Sequence, residues 1–117
     1  MDHIPSNHGC STYRNINLVA TGVAVKATPG VLYGYYMFNN AAAVRYVKFY
    51  NKATAPTVGT DVPFLTIALP ASSGANLSFN GGVLFKTGIG IGATTGVADN
   101  DTAAPTANDV VVNVFYK

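Results

Sequence analysis

Apolar and polar residues alternate along most of this chain with the two-residue period of half-buried β-strands. The period is clearest over residues 43–51, where Val47 and Phe49 share one face and Lys48 lies on the other. Turn residues interrupt the pattern roughly every 8–12 positions, which predicts about eight strands. These strands are predicted over residues 15–21, 23–26, 31–38, 43–51, 64–69, 76–79, 83–91 and 109–117.

The turn residues between these segments indicate how the strands are connected. Pro29-Gly30 predicts a turn, and Asn80-Gly81-Gly82 is typical of a tight hairpin. Longer loops are predicted over residues 53–61 and 94–108. The last strand is so apolar that we expect it inside a sheet. The pattern as a whole predicts one all-β domain over residues 14–117, an antiparallel β-sandwich or jelly roll.

The first residues of the chain follow no period. Residues 1–13 are mostly polar and contain Pro5 and Gly9, so we expect an extended N-terminal arm that is ordered only when a partner holds it. The residues predicted to bind that partner are Asp2, His3, Ile4, Pro5, His8, Cys10 and Tyr13.

Charge is scarce, which excludes several classes of protein. Only 10% of the residues are charged, against about a quarter in an average soluble chain. All five acids are Asp, and Glu and Gln are absent. This composition excludes an all-helical fold, while the 49% hydrophobic content excludes disorder over most of the length. Seven scattered Lys and Arg residues and a net charge of +2 form no nucleic-acid footprint.

The chain shows no signal for export or for membrane insertion. Its start lacks the basic residues and apolar core of a signal peptide. No stretch approaches the roughly 18 apolar residues that span a membrane. The one cysteine, Cys10, excludes an internal disulfide framework. We therefore expect a protein made in a reducing cytoplasm.

The residues that could support catalysis are few and poorly placed. Both histidines, His3 and His8, lie in the predicted arm, where nothing fixes a tuned pKa. The remaining acids lie in or beside predicted loops, and no pair is held across a predicted cleft. We therefore predict a non-enzymatic protein without catalytic residues. The acids in question are Asp61, Asp99, Asp101 and Asp109.

Two short motifs contain metal-ligand residue types. His3, His8 and Cys10 could bind zinc, but their spacing fits no closed tetrahedral site. Asp99-Asn100-Asp101 begins like a calcium loop but lacks the central Gly and the closing acid. We predict neither a metal nor a cofactor, and we do not expect a small-molecule ligand.

Aromatic and glycine residues point instead to contact between protein chains. A sandwich of this size buries one face of each strand, so several tyrosines must lie outside the core, and exposed tyrosine is enriched at interfaces. A stripe of alternating glycines is tolerated where another backbone or ring packs closely on it. We expect a homo-oligomer. The predicted inter-subunit contacts are Tyr33, Tyr35, Tyr46, Gly88, Gly90 and Gly92.

Four stretches of residues 27–117 form a distinctive combination: 30–36 (GVLYGYY), 40–51 (NAAAVRYVKFYN), 52–61 (KATAPTVGTD) and 107–116 (ANDVVVNVFY). In these stretches the chain resembles small proteins encoded among the structural genes of tailed bacteriophages. The resemblance implies a virion protein with a β-sandwich or jelly-roll body. Within that group it implies a capsid decoration (cement) protein that binds the major capsid protein on the outer capsid surface. For such a protein we favour a trimer among the possible homo-oligomers. The resemblance supplies no functional residues position by position.

Two other functions remain open. The second hypothesis is a tail, neck or fibre component of the virion, although the chain has no repeats or coiled-coil heptads. A carbohydrate-binding module is the third hypothesis, with exposed tyrosines such as Tyr46 stacking on sugar rings and Asn113 or Asp61 binding hydroxyl groups.

Overall fold

A computed structural model of the chain describes residues 9–117, which form eight strands and no helix. The strands are β1 (Ser11–Asn15), β2 (Val23–Lys26), β3 (Gly30–Asn39), β4 (Arg45–Tyr50), β5 (Leu65–Leu69), β6 (Gly74–Phe85), β7 (Ile89–Thr94) and β8 (Val110–Tyr116).

The strands form two antiparallel four-stranded sheets that pack face to face. Sheet A has the order β1-β8-β3-β6 and sheet B the order β2-β7-β4-β5. The pairing is nested, because the first strand pairs with the eighth, the second with the seventh, the third with the sixth and the fourth with the fifth. A long antiparallel hairpin rolled into two sheets in this way is a jelly roll. The predicted all-β sandwich is confirmed.

The hydrophobic core lies between the two sheets. Alternate residues of the inner strands meet there, including Met37 of β3, Phe49 of β4 and Val112 of β8, all fully buried. β8 lies between β1 and β3, so the predicted interior position of the last strand is confirmed. Its three inward-facing valines are fully buried, as expected of a strand with a neighbour on each side.

The hairpin predicted at Asn80 is wrong. Residues on both sides of it belong to one strand, β6, and both pair with β3, through Val83 opposite Leu32 and Ser78 opposite Gly34. The intervening residues bulge out of the ladder, with φ of 90° at Gly81 and 80° at Gly82. The predicted strand 83–91 is likewise divided, because the chain crosses between sheets at residues 86–88.

The N-terminal boundary of the sandwich also differs from the prediction. β1 begins at Ser11 and pairs with β8 along its whole length, so residues 11–13 belong to the sheet. Tyr13 packs against the core, and its hydroxyl accepts a hydrogen bond from Asn15 Nδ2 at 2.9 Å. Residues 16–22 form no strand, because the chain crosses there from sheet A to sheet B: the Leu18 amide donates to Val110 O of β8, and Val19 O accepts from the Ala93 amide of β7.

Candidate functional site

Residues 9–117 enclose no cleft or cavity able to hold a small molecule. Within the same range, no three His, Cys, Asp or Glu side chains lie close enough together to share a metal ion. The candidate sites on the described part of the chain are therefore its surfaces: the outer faces of the two sheets and the sides formed by their edge strands.

The outer face of sheet B is covered by the loop over residues 51–64. A Cβ on Gly90 would lie 2.9 Å from Pro56 Cδ, and one on Gly92 would lie 2.7 Å from Val58 Cγ2. The loop approaches β7 so closely that only glycine fits beneath it. The inter-subunit contact predicted at Gly88, Gly90 and Gly92 is thus replaced by a contact within the chain, and all three glycines are buried.

The loop over residues 95–109 covers the rest of this face. It lies over Lys48, which is fully buried and whose Nζ donates a hydrogen bond to Ala98 O at 2.6 Å. Burial lowers the pKa of Lys48, while the charges of Asp101 and Asp99 act in the opposite direction. Asp101 Oδ1 also accepts a hydrogen bond from the Ala103 amide at 2.9 Å. The Ala98 carbonyl therefore holds the Lys48 ammonium, and Asp101 stabilises the backbone of the loop itself.

Tyr50 lies beneath the two loops, 1% exposed, and its hydroxyl has no hydrogen-bond partner among the described residues. Burial, with smaller contributions from the charges of Asp61 and Asp99, raises the pKa of Tyr50 to about 12. The hydroxyl therefore stays protonated at neutral pH. Asp61, one of the two residues suggested for sugar binding, is occupied by Lys52 Nζ and the Thr57 amide, each at 2.7 Å.

Among residues 9–117, no loop covers the outer face of sheet A, which is called the uncovered face below. Tyr36 and Phe38 of β3 point outward from it and are 59% and 40% exposed. On β8 they are paired with Asn113 and Val111, and β1 adds Arg14 next to Asn113. Arg14 is the one charged side chain of the strands that face outward here. This face is therefore aromatic and almost uncharged, as expected of a surface that another molecule covers.

A bulge in β3 decides which tyrosines are exposed. Leu32 lies opposite Tyr116 and Gly34 opposite Phe115, so β3 has one more residue than β8 at this point. The extra residue reverses the alternation, which turns Tyr35 into the core beside Phe49 and turns Tyr36 outward. The contact predicted at Tyr35 is excluded by this burial. Gly34, an isolated glycine within a strand, was the available signal for the bulge.

The side of the sandwich formed by β5 and β6 is a second unusual surface. Both are edge strands, and they contact each other across the end of the core. Residues 62–85, which include both strands, contain no Asp, Glu, Lys, Arg or His. Phe64, Leu77 and Leu84 are each about half exposed on this segment. The sequence analysis did not identify this side, although the uncharged run is visible in the sequence.

The remaining predicted site residues are distributed as follows. Tyr33 and Tyr46 are half-buried, on different sheets, and Cys10 is an exposed free thiol. They are not brought together with one another. Asp2, His3, Ile4, Pro5 and His8 lie outside the described residues.

Comparisons of the chain with models of protein families, with curated proteins and with solved structures gave no match. These comparisons therefore assign no family, and the resemblance to tailed-phage structural proteins remains a hypothesis. The described residues contain no helix that could cross a membrane. What the geometry establishes is a jelly roll with one covered and one uncovered outer face.

Proposed function

We propose that this protein is a non-enzymatic structural protein of a bacteriophage virion, a decoration protein that binds the major capsid protein lattice and stabilises the head. The observation that carries the proposal is the uncovered outer face of sheet A, where Tyr36 and Phe38 stand beside uncharged neighbours on a rigid sheet. Such a face suits a broad, flat protein contact better than it suits a small molecule.

Two further arguments support this function. Jelly rolls recur among viral capsid domains and lectins, an analogy of fold that raises the expectation without proving a function. The resemblance of residues 27–117 to tailed-phage structural proteins points the same way. The protein would be made in the host cytoplasm and would act on the outer capsid surface.

The mechanism in this proposal is multivalent adhesion. Each copy makes a modest contact, and copies joined to one another engage several capsid subunits, which raises the effective concentration of every contact. The N-terminal arm, with Asp2, His3, Ile4, Pro5 and His8, would add a clamp on a neighbouring subunit at the cost of ordering its own residues. Cys10 and Tyr13 connect that segment to the sheet.

The proposal is tested on the virion. Quantitative mass spectrometry of purified particles should find hundreds of copies per particle, whereas tens or fewer would indicate a tail, neck or fibre component. Binding to heads that lack the protein should fail for the double variant Tyr36→Ser, Phe38→Ser. The matched double variant Val44→Ser, Val97→Ser, also at exposed apolar positions, should still bind. Equal binding of both variants would refute the role of the sheet A face.

Carbohydrate binding is a second candidate, favoured by one arrangement on the same face. Asn113 lies directly opposite Tyr36, its Nδ2 donating to Tyr36 O at 3.2 Å, and Asn76 is paired with Tyr36 on the other side. Amides beside an exposed ring could bind sugar hydroxyls while the ring stacks on the sugar. Glycan-array binding that is lost in Tyr36→Ala and retained in Tyr46→Ala would favour this function over capsid binding.

A further inference from the structure

Sheet A has a free edge at β6. β6 spans 12 residues and pairs with β3 alone in the described structure. The backbone N–H and C=O groups on its other side are therefore left without a strand. An edge of this kind is a template for another strand, and soluble proteins normally protect it with lysine, proline, short length or cover.

β6 has almost none of these protections. Its sequence, GANLSFNGGVLF, contains no charge and no proline, and the bulge near Gly81 and Gly82 interrupts only its second half. Residues 74–78 remain a regular ladder opposite β3. Leu77 is 48% exposed beside this ladder. The first half of β6 is therefore a regular, apolar and unprotected edge.

The opposite side of the sandwich differs in each of these respects. Its edge strands, β1 and β2, are only 5 and 4 residues long, and they carry Arg14 and Lys26. A strand added there would bring charge close to the new ladder, which costs free energy unless a counter-ion is supplied. The chain thus protects one side of the sandwich and leaves the β5–β6 side open.

We propose that β6 is the interface between two copies of this chain, with residues 74–78 of each copy paired antiparallel about a two-fold axis. Two identical antiparallel strands can match donors with acceptors about such an axis, so the contact is self-complementary and closed. The uncharged segment 62–85 of one copy then faces the same uncharged segment of the other. Sheet A becomes a continuous eight-stranded sheet.

The size of this contact indicates its strength. A strand of this length is up to about 40 Å long, and the two sheets are about 10 Å apart, so this side of the sandwich offers a contact of up to about 400 Å² per copy. Standard stable interfaces bury about 800 Å² per partner. We therefore expect a weak, reversible dimer that forms at concentrations on the order of 100 µM. This inference depends on the β6 edge and not on a location in the virion.

The test is the concentration-dependent mass of the full chain, measured by sedimentation equilibrium up to about 100 µM. The average mass of the wild type should rise above the monomer mass toward the dimer mass as the concentration increases. Leu77→Lys places two like charges near the two-fold axis and should weaken association at least about tenfold. Val97→Lys, which adds the same charge at another exposed apolar position in the loop over residues 95–109, should associate like the wild type.

Hydrogen exchange identifies the edge independently of any variant. Amides of residues 74–78 should gain protection as the concentration rises, while those of residues 11–15 in β1 should not. A monomer throughout the range, a trimer, protection at β1 instead of β6, or dimerisation unchanged by Leu77→Lys would each overturn the inference. A monomer that nevertheless binds phage heads would overturn it, together with the joining of copies in the proposed mechanism, while leaving the role as a decoration protein intact.

Discussion

The two outer faces of this jelly roll differ in how far the described loops cover them. On sheet B, every residue of β7 is buried, because the loops over residues 51–64 and 95–109 lie across the sheet. On sheet A, Tyr36 and Phe38 face outward with nothing from the described chain above them. A sandwich always has two outward faces, and covering one with long loops makes it part of the core. The other remains available to a partner.

This difference also decides whether an outward-facing side chain is buried or exposed. Lys48 and Tyr50 lie on the face of β4 opposite Val47, where alternation predicts exposure, yet both are buried beneath the loops. Asn113 lies on the corresponding face of β8 and reaches only its neighbour's backbone. The same strand pattern therefore yields interior residues on one sheet and surface residues on the other.

Gly88→Ala should disrupt the covered face most strongly. A Cβ at this position would lie 2.7 Å from Ala53 Cα and equally close to the carbonyl oxygens of Lys26 and Lys52. Backbone atoms cannot move aside as a side chain can, so we expect a loss of about 2–3 kcal/mol in the free energy of unfolding, measured by denaturant titration. Thr87→Ala, at the exposed neighbouring position, should change it by less than about 0.5 kcal/mol. Equal effects would mean that the loop is not packed on β7.

Tyr50→Phe probes the same face through its unpartnered hydroxyl. Removing a buried hydroxyl without a partner should leave stability at pH 7 unchanged or increase it by about 1 kcal/mol. The pH dependence should change as well. Because the folded pKa, about 12, lies above the ordinary value of 10.0, the unfolded chain loses its proton first as the pH rises.

The free energy of unfolding of the wild type should therefore fall by up to about 3 kcal/mol between pH 10 and pH 12 because of this residue. Tyr50→Phe should lose less over that interval, as measured by denaturant titration at each pH. Tyr36→Phe is the control, since it removes a tyrosine hydroxyl from the uncovered face. If Tyr50→Phe and Tyr36→Phe reduce this fall in the free energy of unfolding equally, burial of Tyr50 beneath the loops is not its cause.

Substitutions on the uncovered face of sheet A should change the free energy of unfolding least. The double variant Tyr36→Ser, Phe38→Ser removes two exposed rings that pack against nothing above them, so its free energy of unfolding should stay within about 1 kcal/mol of the wild type. Thermal and chemical denaturation would measure this. A loss comparable to that of Gly88→Ala would show that the rings stabilise the sandwich itself, and would remove the basis for treating this face as a binding surface.

Much of the fold could be predicted from local pattern. The strands expected over residues 31–38, 43–51, 64–69 and 109–117 correspond to β3, β4, β5 and β8 within one or two residues at each end. Their alternation is strong, and turn residues limit them on both sides. Predictions failed over residues 76–91, where the pairing partner decides the structure. Asn80-Gly81-Gly82 has the composition of a hairpin, but both flanking segments pair with β3 and leave it as a bulge.

The candidate site was less accessible to prediction. Exposed tyrosine was expected on β3, but the bulge at Gly34 selects Tyr36 in place of Tyr35. The glycines of β7 were expected to meet another chain, and they meet Pro56 and Val58 of their own. In both cases the residue type was informative, while the contact depended on a register or a loop position that no local pattern encodes.

Composition and alternation along the chain were sufficient to establish an all-β sandwich, an interior last strand, and a scarcity of charge that leaves residues 62–85 uncharged. These features are properties of neighbouring residues, which the two-residue period reports directly. The choice of which sheet face is covered, and hence of which tyrosine and which edge remain open, depends on contacts such as Pro56 with Gly90, far apart in sequence. Such contacts exist only once the loops have closed over the folded sheet, because closure brings together residues that share no local pattern.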